Sequence, residues 1–511
     1  MPLKQNSDLR LKSTLHPLVY EVNIRVFLNE LSSTLGKKIT LDRIPDSVID
    51  EWSASGFDVV WLMGVWTTGE IGLQEARNHA GLQDGFGKAL PDYTQEDIIS
   101  SPYAVKAYTV GRALGGVKGL ESFRKKLAER GIGLMLDFVP NHTARDHEWV
   151  SSNPEYYVNG ETGDEGEDYF RVETKKGDRV LAHGKDPFFP GWTDTAQLNL
   201  RHRGTRAALT DTLLSIASQC DGVRCDMAML VIQQVFADTW GERSRPADVE
   251  PASTEFWSEA MKAVRAVHPN FLFVAESYWD LEWSLQKLGF DYTYDKTLYD
   301  RLLREGASAV GSHLRAEMDY QLHSVRFVEN HDEPRVASAL PSELWQYAAA
   351  TIAATVPGMF LLHEGQLDGR KVKLPVQLGR RPAEECSTQT RAFYAKLLSC
   401  LQHDVFRKGE WTLLTVRSAW YDNHTYQNIL AYSWRYGNDC RLVVVNYAPL
   451  NSQGYVELRL SGVEGSSFEF RDLIGSAVYT RDRSGLETKG MYFDSPGYGI
   501  HIFQVKKTNH R

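Results

Sequence analysis

The sequence predicts an α/β protein: a (β/α)8 TIM barrel with a short, loop-rich excursion after its third strand, followed by an antiparallel β-sandwich. Short apolar runs rich in β-branched residues recur through the first four hundred residues, and most precede a segment with helical periodicity. This alternation is interrupted once by a polar segment and gives way to strand-like patterns near the carboxyl end. A length of 511 residues suits a barrel of about 250 or more residues with insertions, plus one smaller domain.

Eight runs predict the barrel strands, which is the number that a closed parallel barrel of this type requires. They are VYEVNIRVF from Val19, DVVWLM from Asp58, IGLMLDFV from Ile132, GVRCD from Gly222, FLFVAE from Phe271, FDYTYD from Phe290, SVRFVEN from Ser324 and GMFLLHEG from Gly358. Helical patterns occur at 120–130, 206–218, 256–267, 344–354 and 389–401. A doubly wound open sheet gives a similar alternation, so the periodicity favours the barrel without deciding it.

Two segments break the alternation and set the domain organisation. Residues 143–192 are polar and rich in Gly and Asp, which predicts a long excursion from the top of the barrel. From about Phe406 the helical patterns stop, and stretches such as ILAYSWRY, RLVVVNYAP and YGIHIFQV predict a β-sandwich. The predicted domains are therefore a barrel at 1–404, which includes the excursion at 143–192, and a sandwich at 405–511.

Charge and composition exclude several classes of partner. The formal net charge is −9 and no long block of Lys or Arg occurs, so nucleic acid is not an expected partner. Five cysteines lack CxxC spacing, which indicates neither a disulfide framework nor a zinc cluster and suits a reducing compartment. The first residues contain no apolar stretch of signal-peptide length, and no run of about 18 apolar residues occurs. These features predict a cytoplasmic protein without a membrane span and leave its oligomeric state open.

Acidic residues stand where four of the predicted strands end. Asp137 closes the third strand, Asp226 follows the fourth, Glu276 follows the fifth and Asp332 follows the seventh. The carboxyl ends of barrel strands converge on one face, where the active sites of this fold lie. Four carboxylates that are distant in sequence are therefore expected to share one pocket.

Such a set of carboxylates suits cleavage of a glycosidic bond. One carboxylate attacks or stabilises the anomeric carbon, and one carboxylic acid with a raised pKa protonates the leaving oxygen. Arg224 lies two residues before Asp226, on the same side of its strand, and is expected to hold that carboxylate ionised. His142 and His331 are expected to supply hydrogen bonds to sugar hydroxyls. A carbohydrate is therefore the expected substrate.

Four of these segments resemble the four short regions of the α-amylase superfamily, glycoside hydrolase family 13. They are DFVPNH from Asp137, GVRCDMA from Gly222, VAES from Val274 and ENHDE from Glu329, and they occur in the family's order with similar spacing. The resemblance covers the presumed barrel from about Tyr20 to Leu401. It implies a retaining enzyme that hydrolyses or transfers α-glucosides or short α-glucans through a covalent glycosyl-enzyme.

The resemblance also implies roles for individual residues. Asp226 is implied as the nucleophile, Glu276 as the general acid/base, and Asp332 as a third catalytic carboxylate that binds sugar hydroxyls in the transition state. Tyr103, in SPYAVKAY, looks like the family's tyrosine that stacks on the sugar at the cleavage site. The implied substrate-binding residues are Tyr103, Asp137, His142, Arg224 and His331.

Departures from the family pattern narrow the range of expected substrates and cofactors. Many amylases carry a Lys-His pair three and four residues after the nucleophile, serving the acceptor subsite and a calcium site, and here those positions are Met229 and Leu230. Asn141 matches a family calcium ligand, but the rest of that site is not evident, so no metal or cofactor is predicted and calcium is not favoured. Together with the short excursion, these changes predict a small α-glucoside or short oligosaccharide as the substrate.

Other functions remain open at this stage. Hydrolysis, transglycosylation and phosphorolysis share a first half-reaction, and phosphorolysis would use basic residues such as Arg335, Arg370, Lys371, Lys373, Arg380 and Arg381, although a charged run is more often a solvated loop. Some superfamily members are non-catalytic carbohydrate-binding or chaperone-like barrels, but these usually lose a carboxylate and this chain keeps all three. A metal-dependent hydrolase would need HxH or HExxH spacing, which the candidate site lacks.

Two further sets of residues are weaker candidates. Glu364, Gln366 and Arg370 follow the eighth predicted strand and are candidates for a specificity loop at the pocket rim. Trp66 and Trp192 are candidates for sugar platforms, with core packing as the alternative for each.

Overall fold

Eight parallel strands close a barrel in the computed structural model, which describes residues 14–246, 252–458 and 465–508. The barrel strands are Leu18–Asn23, Val59–Met63, Gly133–Phe138, Gly222–Cys225, Leu272–Ala275, Tyr292–Tyr294, Ser324–Arg326 and Met359–His363. Each strand pairs with its neighbours in chain order, and the first pairs in parallel with the last. The predicted barrel and all eight of its strand runs are confirmed, and an open doubly wound sheet is excluded.

The first strand is shorter than the sequence predicts. The run from Val19 was expected to continue as a strand through Phe27, but the strand ends at Asn23 and a helix, Ile24–Leu35, begins at once. The Asn23 side chain accepts a hydrogen bond from the Val26 main-chain N–H at 3.4 Å. Asn is a favoured N-cap residue, so it starts a helix within a segment whose branched residues alone indicate a strand.

Helices connect the barrel strands and cover the outside of the barrel. All five predicted helices are present, as Gly116–Ala128, Arg203–Ala217, Phe256–Val267, Glu343–Thr355 and Thr388–Leu401. Other helices of this layer are Asp46–Ala54, Gln233–Trp240, Glu282–Leu288, Lys296–Arg304, Ala307–His313, Met318–Leu322 and Val336–Ala339. In Phe256–Val267 the buried residues recur at helical spacing, at Phe256, Trp257, Ala260, Met261 and Val264.

The inside of the barrel is filled by side chains. Buried residues from the strands form one cluster that includes Trp61, Met135, Val274, Tyr294 and Leu361. Residues of the fourth strand alternate: Val223 and Cys225 pack outward with the helices, whereas Arg224 lies over the rings of Trp61 and Tyr294. A packed floor therefore supports the carboxyl end of the barrel.

Two insertions rise from the carboxyl end. The segment after the second strand contains strands Trp66–Thr68 and Val105–Val110 with helices Glu70–Asn78 and Ala80–Ala89, which the sequence patterns did not reveal. The excursion after the third strand is present as predicted and contains helix Glu148–Ser152 and strands His142–Ala144, Tyr169–Val172, Arg179–Ala182 and Thr195–Gln197. His142–Ala144 pairs with Thr195–Gln197, so the paired part of the excursion extends slightly beyond 143–192.

The carboxyl-terminal region is a sandwich of two antiparallel sheets, as predicted. The larger sheet contains, in order, Glu410–Leu413, Ile429–Tyr436, Asp439–Asn446, Ile500–Lys507, Ser467–Asp472 and Val478–Asp482. The smaller contains Val416–Ser418, Ser452–Val456 and Met491–Ser495. Helices Asp404–Lys408 and Arg483–Lys489 accompany these sheets.

Alternation along one strand of the larger sheet joins the sandwich to the barrel. Leu430, Tyr432 and Trp434 belong to the core that includes the barrel helices, whereas Ile429 and Ala431 pack into the core between the two sheets. The Trp434 indole N–H donates to the Thr355 carbonyl of a barrel helix at 2.7 Å. Because side chains in a strand point alternately to opposite faces, a single sheet closes both cores.

Within the described residues, no helix is both long and apolar enough to cross a membrane.

Candidate active site

Four acidic side chains meet at the carboxyl end of the barrel. Asp137 lies in the third strand, Asp226 and Glu276 directly follow the fourth and fifth, and Asp332 lies six residues beyond the seventh. Parallel pairing places Arg224 opposite Asp137 and Val274 in neighbouring strands. The expectation that these distant carboxylates share a pocket is met because the closed barrel brings all its strand ends to one face.

Arg224 is the centre of this group. Its Nη1 atom lies 2.6 Å from Asp226 Oδ1, and its Nη2 atom lies 2.8 Å from Glu276 Oε2. The same guanidinium lies 3.6 Å from Asp137 and 4.0 Å from Asp332. The Arg224 side chain is only 1% exposed, so these contacts are shielded from solvent and are stronger than surface ion pairs.

Glu276 is held by three donors. Besides Arg224, the Met227 main-chain N–H donates to Oε2 at 2.6 Å and the Tyr278 hydroxyl donates to Oε1 at 2.8 Å. Met227 has a positive φ of 43°, a conformation that non-glycine residues rarely adopt. The backbone at Met227 is therefore strained at the point where its N–H meets the carboxyl group.

Burial raises the pKa of Glu276 to about 7, and the negative charges of Asp226 and Asp332 add to the rise while Arg224 opposes it. Burial also raises the pKa of Asp137 to about 7, and it raises the pKa of Asp226 against the effect of Arg224. Several carboxyls around one guanidinium cannot all ionise without leaving uncompensated buried charge. The cluster therefore retains protons near neutral pH.

Asp332 has a different environment, although it belongs to the same pocket. Its side chain is 41% exposed, and its Oδ2 lies 2.9 Å from His331 Nε2. Burial raises the pKa of Asp332, but the charge and hydrogen bond of His331, together with Arg224, outweigh burial and lower it. Asp332 is therefore ionised and accessible.

His331 is enclosed by two rings and two acids. The Tyr103 ring stacks on it at 5.5 Å and the Trp61 ring meets it edge-on at 5.6 Å. The Tyr103 hydroxyl lies 2.6 Å from Nε2, and Glu21 Oε1 lies 2.5 Å from Nδ1. Tyr103, Arg224, His331 and the four carboxylates thus form one contiguous group.

His142 lies in the same region but contacts the excursion. Its ring meets the Trp192 ring at 5.1 Å and 62°. Burial lowers the pKa of His142 to about 4, so its imidazole is neutral. Trp66, the other tryptophan considered as a sugar platform, is 2% exposed and its indole N–H donates to the Asp137 carbonyl, so it belongs to the core.

Three residues of the site escaped sequence reasoning. Met227 and Tyr278 each lie close in sequence to a predicted carboxylate, but their contacts with Glu276 depend on the fold. Glu21 could have been identified from the sequence, because it is a charged residue within the apolar run LVYEVN of a buried strand. A fully buried glutamate requires a polar partner, so its position indicates the inside of a site.

The residues that would serve a calcium ion do not fit one. The Asn141 side-chain oxygen accepts a hydrogen bond from Gln197 Nε2 at 3.0 Å, and Gln197 Oε1 accepts from Asn141 Nδ2 at 3.2 Å. The two amides therefore satisfy each other across the base of the excursion. In the described ranges, no group of three His, Cys, Asp or Glu side chains is arranged to hold a metal ion.

The loop after the eighth strand is built around ion pairs, of which Arg381–Glu364 is buried. Arg370 binds Glu30 at 2.7 Å, and Arg381 pairs with Glu364. Gln366 donates to the Tyr394 hydroxyl at 2.8 Å. The three residues considered for substrate specificity thus hold the loop itself, and of the three Arg370 lines a small cavity that His331 also lines.

Comparisons with known proteins agree with this architecture. Residues 93–411, more than half of the chain, match the family model described as "Alpha amylase, catalytic domain". The "Alpha-amylase MalA" of Haloarcula japonica is 25% identical over 475 residues, which cover 91% of this chain and 60% of that protein. The "Alpha-1,4-glucan:maltose-1-phosphate maltosyltransferase 2" of Streptomyces coelicolor is 22% identical over 428 residues, which cover 78% of this chain and 55% of that protein. The chain therefore spans little more than half the length of these relatives.

Solved structures share the fold over nearly the whole chain. The maltogenic α-amylase AmyB of Thermotoga neapolitana has a TM-score of 0.67 at 19% identity, covering 96% of this chain and 98% of that one. Amy13B of Eubacterium rectale has a TM-score of 0.67 at 14% identity, with complete coverage of both chains. With the family match over the barrel and four carboxylates at its strand ends, the chain belongs to the α-amylase family, glycoside hydrolase family 13.

Proposed function

We propose that this protein is a retaining α-glycoside hydrolase or transglycosylase that acts on α-glucosides or short α-glucans. One observation supports this most strongly: a single buried guanidinium, Arg224, contacts both Asp226 and Glu276, and the pKa of Glu276 is raised to about 7. Two adjacent carboxyls, one of them a proton donor at neutral pH, are what this reaction needs. The catalytic domain in this proposal is 1–404 and the sandwich is 405–511.

In the first step, Asp226 attacks the anomeric carbon while Glu276 gives its proton to the departing glycosidic oxygen. The bond to the leaving sugar breaks as the bond to the Asp226 carboxylate forms, which yields a covalent glycosyl-enzyme. Glu276, now ionised, then takes a proton from water or an acceptor hydroxyl. That oxygen attacks the anomeric carbon and releases Asp226, so the configuration is retained.

The other residues of the site bind the sugar in this proposal. Asp332 is ionised and accessible, so its oxygens are suited to accept hydrogen bonds from sugar hydroxyls. Tyr103 stacks beside His331 and offers a ring face to the reacting sugar. Asp137 supports the guanidinium, and His142 offers a neutral ring near the excursion.

A short substrate is favoured over an extended starch chain. Met229 and Leu230 occupy the positions of the family's acceptor-side Lys-His pair, and both are buried apolar residues here. They supply no polar group to an acceptor sugar. The relatives named as an amylase and a maltosyltransferase agree with an α-glucan as the general substrate class.

The test is sugar release and transfer from maltose, maltotriose, trehalose, sucrose and p-nitrophenyl α-glucoside, with the Asp226→Asn variant as the comparison. Asp226→Asn is expected to lower kcat by a factor on the order of 10⁴ or more while the protein stays folded. Undiminished activity in that variant would refute the assignment. A complex with a bound sugar should place the Asp226 and Glu276 carboxyl groups about 5–5.5 Å apart, and a separation near 9 Å would contradict retention.

A phosphorylase or phosphate-dependent glycosyltransferase is the second candidate. Arg335, Arg370, Lys373 and Arg381 line the small cavity beside His331, so these basic groups are near the site rather than in a solvated loop. However, Arg335 is paired with Glu329 at 2.6 Å, and Glu30 and Glu364 compensate the other two arginines. Hydrolysis or transfer to a sugar is therefore the favoured reaction. Product formation that requires added phosphate would favour the phosphorylase instead.

A non-catalytic carbohydrate-binding or chaperone-like barrel is the third candidate. It would bind sugars equally well with Asp226 or Asn at that position and would turn over none of the substrates.

We propose further that the binding partner is a carbohydrate, not a nucleic acid, and that the protein works in the cytoplasm. The five free cysteines support a reducing compartment.

A further inference from the structure

His331 lies between two carboxylates that come from opposite ends of the sequence. Its Nδ1 atom lies 2.5 Å from Glu21 Oε1, in the first strand, and its Nε2 atom lies 2.9 Å from Asp332 Oδ2, beyond the seventh. The His331 main-chain N–H also points at Glu21 Oε1, at 3.4 Å. A single glutamate therefore fixes both the backbone and the ring of His331.

This geometry defines the protonation state of the ring. A neutral imidazole has one N–H, so one of its two nitrogens would direct a lone pair at a carboxylate oxygen. With both nitrogens carrying hydrogen, both carboxylates face a cationic N–H, and the Tyr103 hydroxyl oxygen, 2.6 Å from Nε2, accepts from that N–H alongside Asp332. In agreement, burial lowers the pKa of His331, but Asp332 and Glu21 outweigh burial and raise it to about 10.

Glu21 itself is out of reach of a substrate. Its side chain is 1% exposed and lies beneath His331, inside the first strand. The Trp61 and Tyr103 rings enclose the imidazole from the sides, so a sugar above the site meets Asp332 and Tyr103 rather than Glu21. The hydrogen bonds of the Glu21 carboxylate go to His331, which is its contact with the site.

We propose that Glu21 is a positioning residue for catalysis: it keeps His331 doubly protonated and oriented, and His331 in turn holds Asp332 ionised and aimed at the sugar. This inference rests on the proposed function, because it assigns Asp332 a role in the transition state. It explains why a carboxylate is buried in an otherwise apolar strand, at a cost that only a charged partner offsets.

Other charged groups also act on His331. They are Asp137 of the third strand, Asp226 after the fourth, Asp332 itself and His363 of the eighth. Arg224, Lys373 and Glu276 face the same pocket and interact with Asp332. None of them contacts Nδ1 as Glu21 does. Removing the Glu21 charge is therefore expected to lower the pKa of His331 by about one to three pH units, as loss of a close opposite charge does.

The experiment compares Glu21→Gln with Glu21→Asp in the full chain. Gln keeps the size and the acceptor oxygen but removes the charge, whereas Asp keeps the charge and shortens the side chain. If the negative charge of Glu21 supports catalysis, Glu21→Gln lowers kcat about 10- to 100-fold with little change in KM, and Glu21→Asp lowers kcat less. A purely structural role predicts the reverse order, because Gln fits the cavity better than Asp, and that result would overturn the proposal.

The pH dependence gives a second readout. The ratio of wild-type to Glu21→Gln kcat/KM is expected to rise between about pH 6 and 9 as His331 loses its proton in the variant only. The titration of Glu276 is common to both proteins and cancels in this ratio. A ratio that is constant with pH would contradict the proposal. Glu329→Gln is a matched control, since it removes another fully buried carboxylate on the same face, one that contacts Arg335.

A direct measurement covers the case in which the variants fail to fold. In the wild-type protein, nitrogen-resolved NMR of the imidazole should show both His331 nitrogens protonated up to about pH 9, and deprotonation near the ordinary histidine value of about 6.5 would refute the proposal.

The Asp226→Asn variant tests the proposed function independently of the role of Glu21. Activity that persists in Asp226→Asn overturns the proposed function, whereas an inactive Asp226→Asn beside an unaffected Glu21→Gln overturns only the role of Glu21.

Discussion

The two ends of the barrel use aspartate and arginine in opposite ways. At the amino ends, Asp58, Asp221 and Asp291 precede the second, fourth and sixth strands, and each pairs with one arginine. Those arginines are Arg407, Arg124 and Arg265. At the carboxyl ends, the single guanidinium of Arg224 serves four carboxylates.

The amino-end aspartates also clamp adjacent strands. Leu18, Leu134 and Phe273 donate their main-chain N–H groups to Asp58, Asp221 and Asp291, at 2.7, 2.8 and 2.8 Å. Each aspartate returns its own N–H to the carbonyl of the same residue. Each of these carboxylates is paired with one arginine and accepts from one backbone donor, so these sites join strands one to two, three to four and five to six.

The difference shows how charge balance separates structure from chemistry. At the amino ends, each aspartate faces one arginine and one main-chain donor. At the carboxyl ends, burial, together with the charges of Asp226 and Asp332, raises the pKa of Glu276 to about 7, where a proton can be exchanged. The same residue types thus stabilise the barrel at one end and are suited to catalysis at the other.

The largest effect expected at the carboxyl end comes from Glu276→Gln. Removing the proposed general acid should lower kcat for maltotriose by about 10²- to 10⁴-fold, without lowering the melting temperature. The loss should be smaller for p-nitrophenyl α-glucoside, whose leaving group needs less protonation. Equal losses on both substrates in steady-state kinetics would contradict the role of proton donor.

Asp58→Asn is the matched change at the amino end. It leaves Arg407 buried without its charge partner, and the free energy of unfolding should fall by about 3–5 kcal/mol. Asp221→Asn, at a more exposed pair, should cost about 1–3 kcal/mol. Urea denaturation measures both, and kcat per folded molecule should stay within a fewfold of wild type. A large loss of kcat in either variant would contradict the conclusion that the amino-end aspartates serve stability and not catalysis.

The pH dependence of activity should be set by groups at the carboxyl end of the barrel strands and not by those at the amino end. In the proposed mechanism Glu276 carries a proton in the first step, and its raised pKa of about 7 means that this form predominates below about pH 7. The kcat/KM value for maltotriose is therefore expected to fall as the pH rises above about 7. The same alkaline limb should appear in Asp58→Asn measured at a temperature where that variant is folded, and a shifted limb there would indicate coupling between the ends.

Tyr278→Phe should have the smallest effect. The Tyr278 hydroxyl donates to Glu276 Oε1 at 2.8 Å and favours the ionised form. Its removal should raise the pKa of Glu276, moving the alkaline limb up by about half to one pH unit, and change kcat by a factor of about three to ten. A limb that moves to lower pH would show that this hydrogen bond favours the protonated acid instead.

Much of this protein could be predicted from residue patterns. The eight strand runs were recognisable because buried parallel strands are continuous apolar segments, and Asp137, Asp226, Glu276 and Asp332 were identifiable because they interrupt such segments at their ends. The first strand was predicted too long because Ile24, Val26 and Phe27 suit a strand, while the cap at Asn23 starts a helix. The helices and strands between 64 and 115 were missed because their patterns are short and weakly apolar.

The sequence by itself determined the order of the eight barrel strands, the sandwich and the identities of the acidic residues at the strand ends. Only the tertiary structure decided which acids hold protons, because protonation depends on burial and on distances between residues that are far apart in the chain. Asp226 and Asp332 are the same residue type at the same end of the barrel, yet burial raises the pKa of Asp226, whereas the pKa of Asp332 is lowered. The cause is His331, held against Asp332 by Glu21 from the opposite end of the sequence, a contact that no local pattern contains.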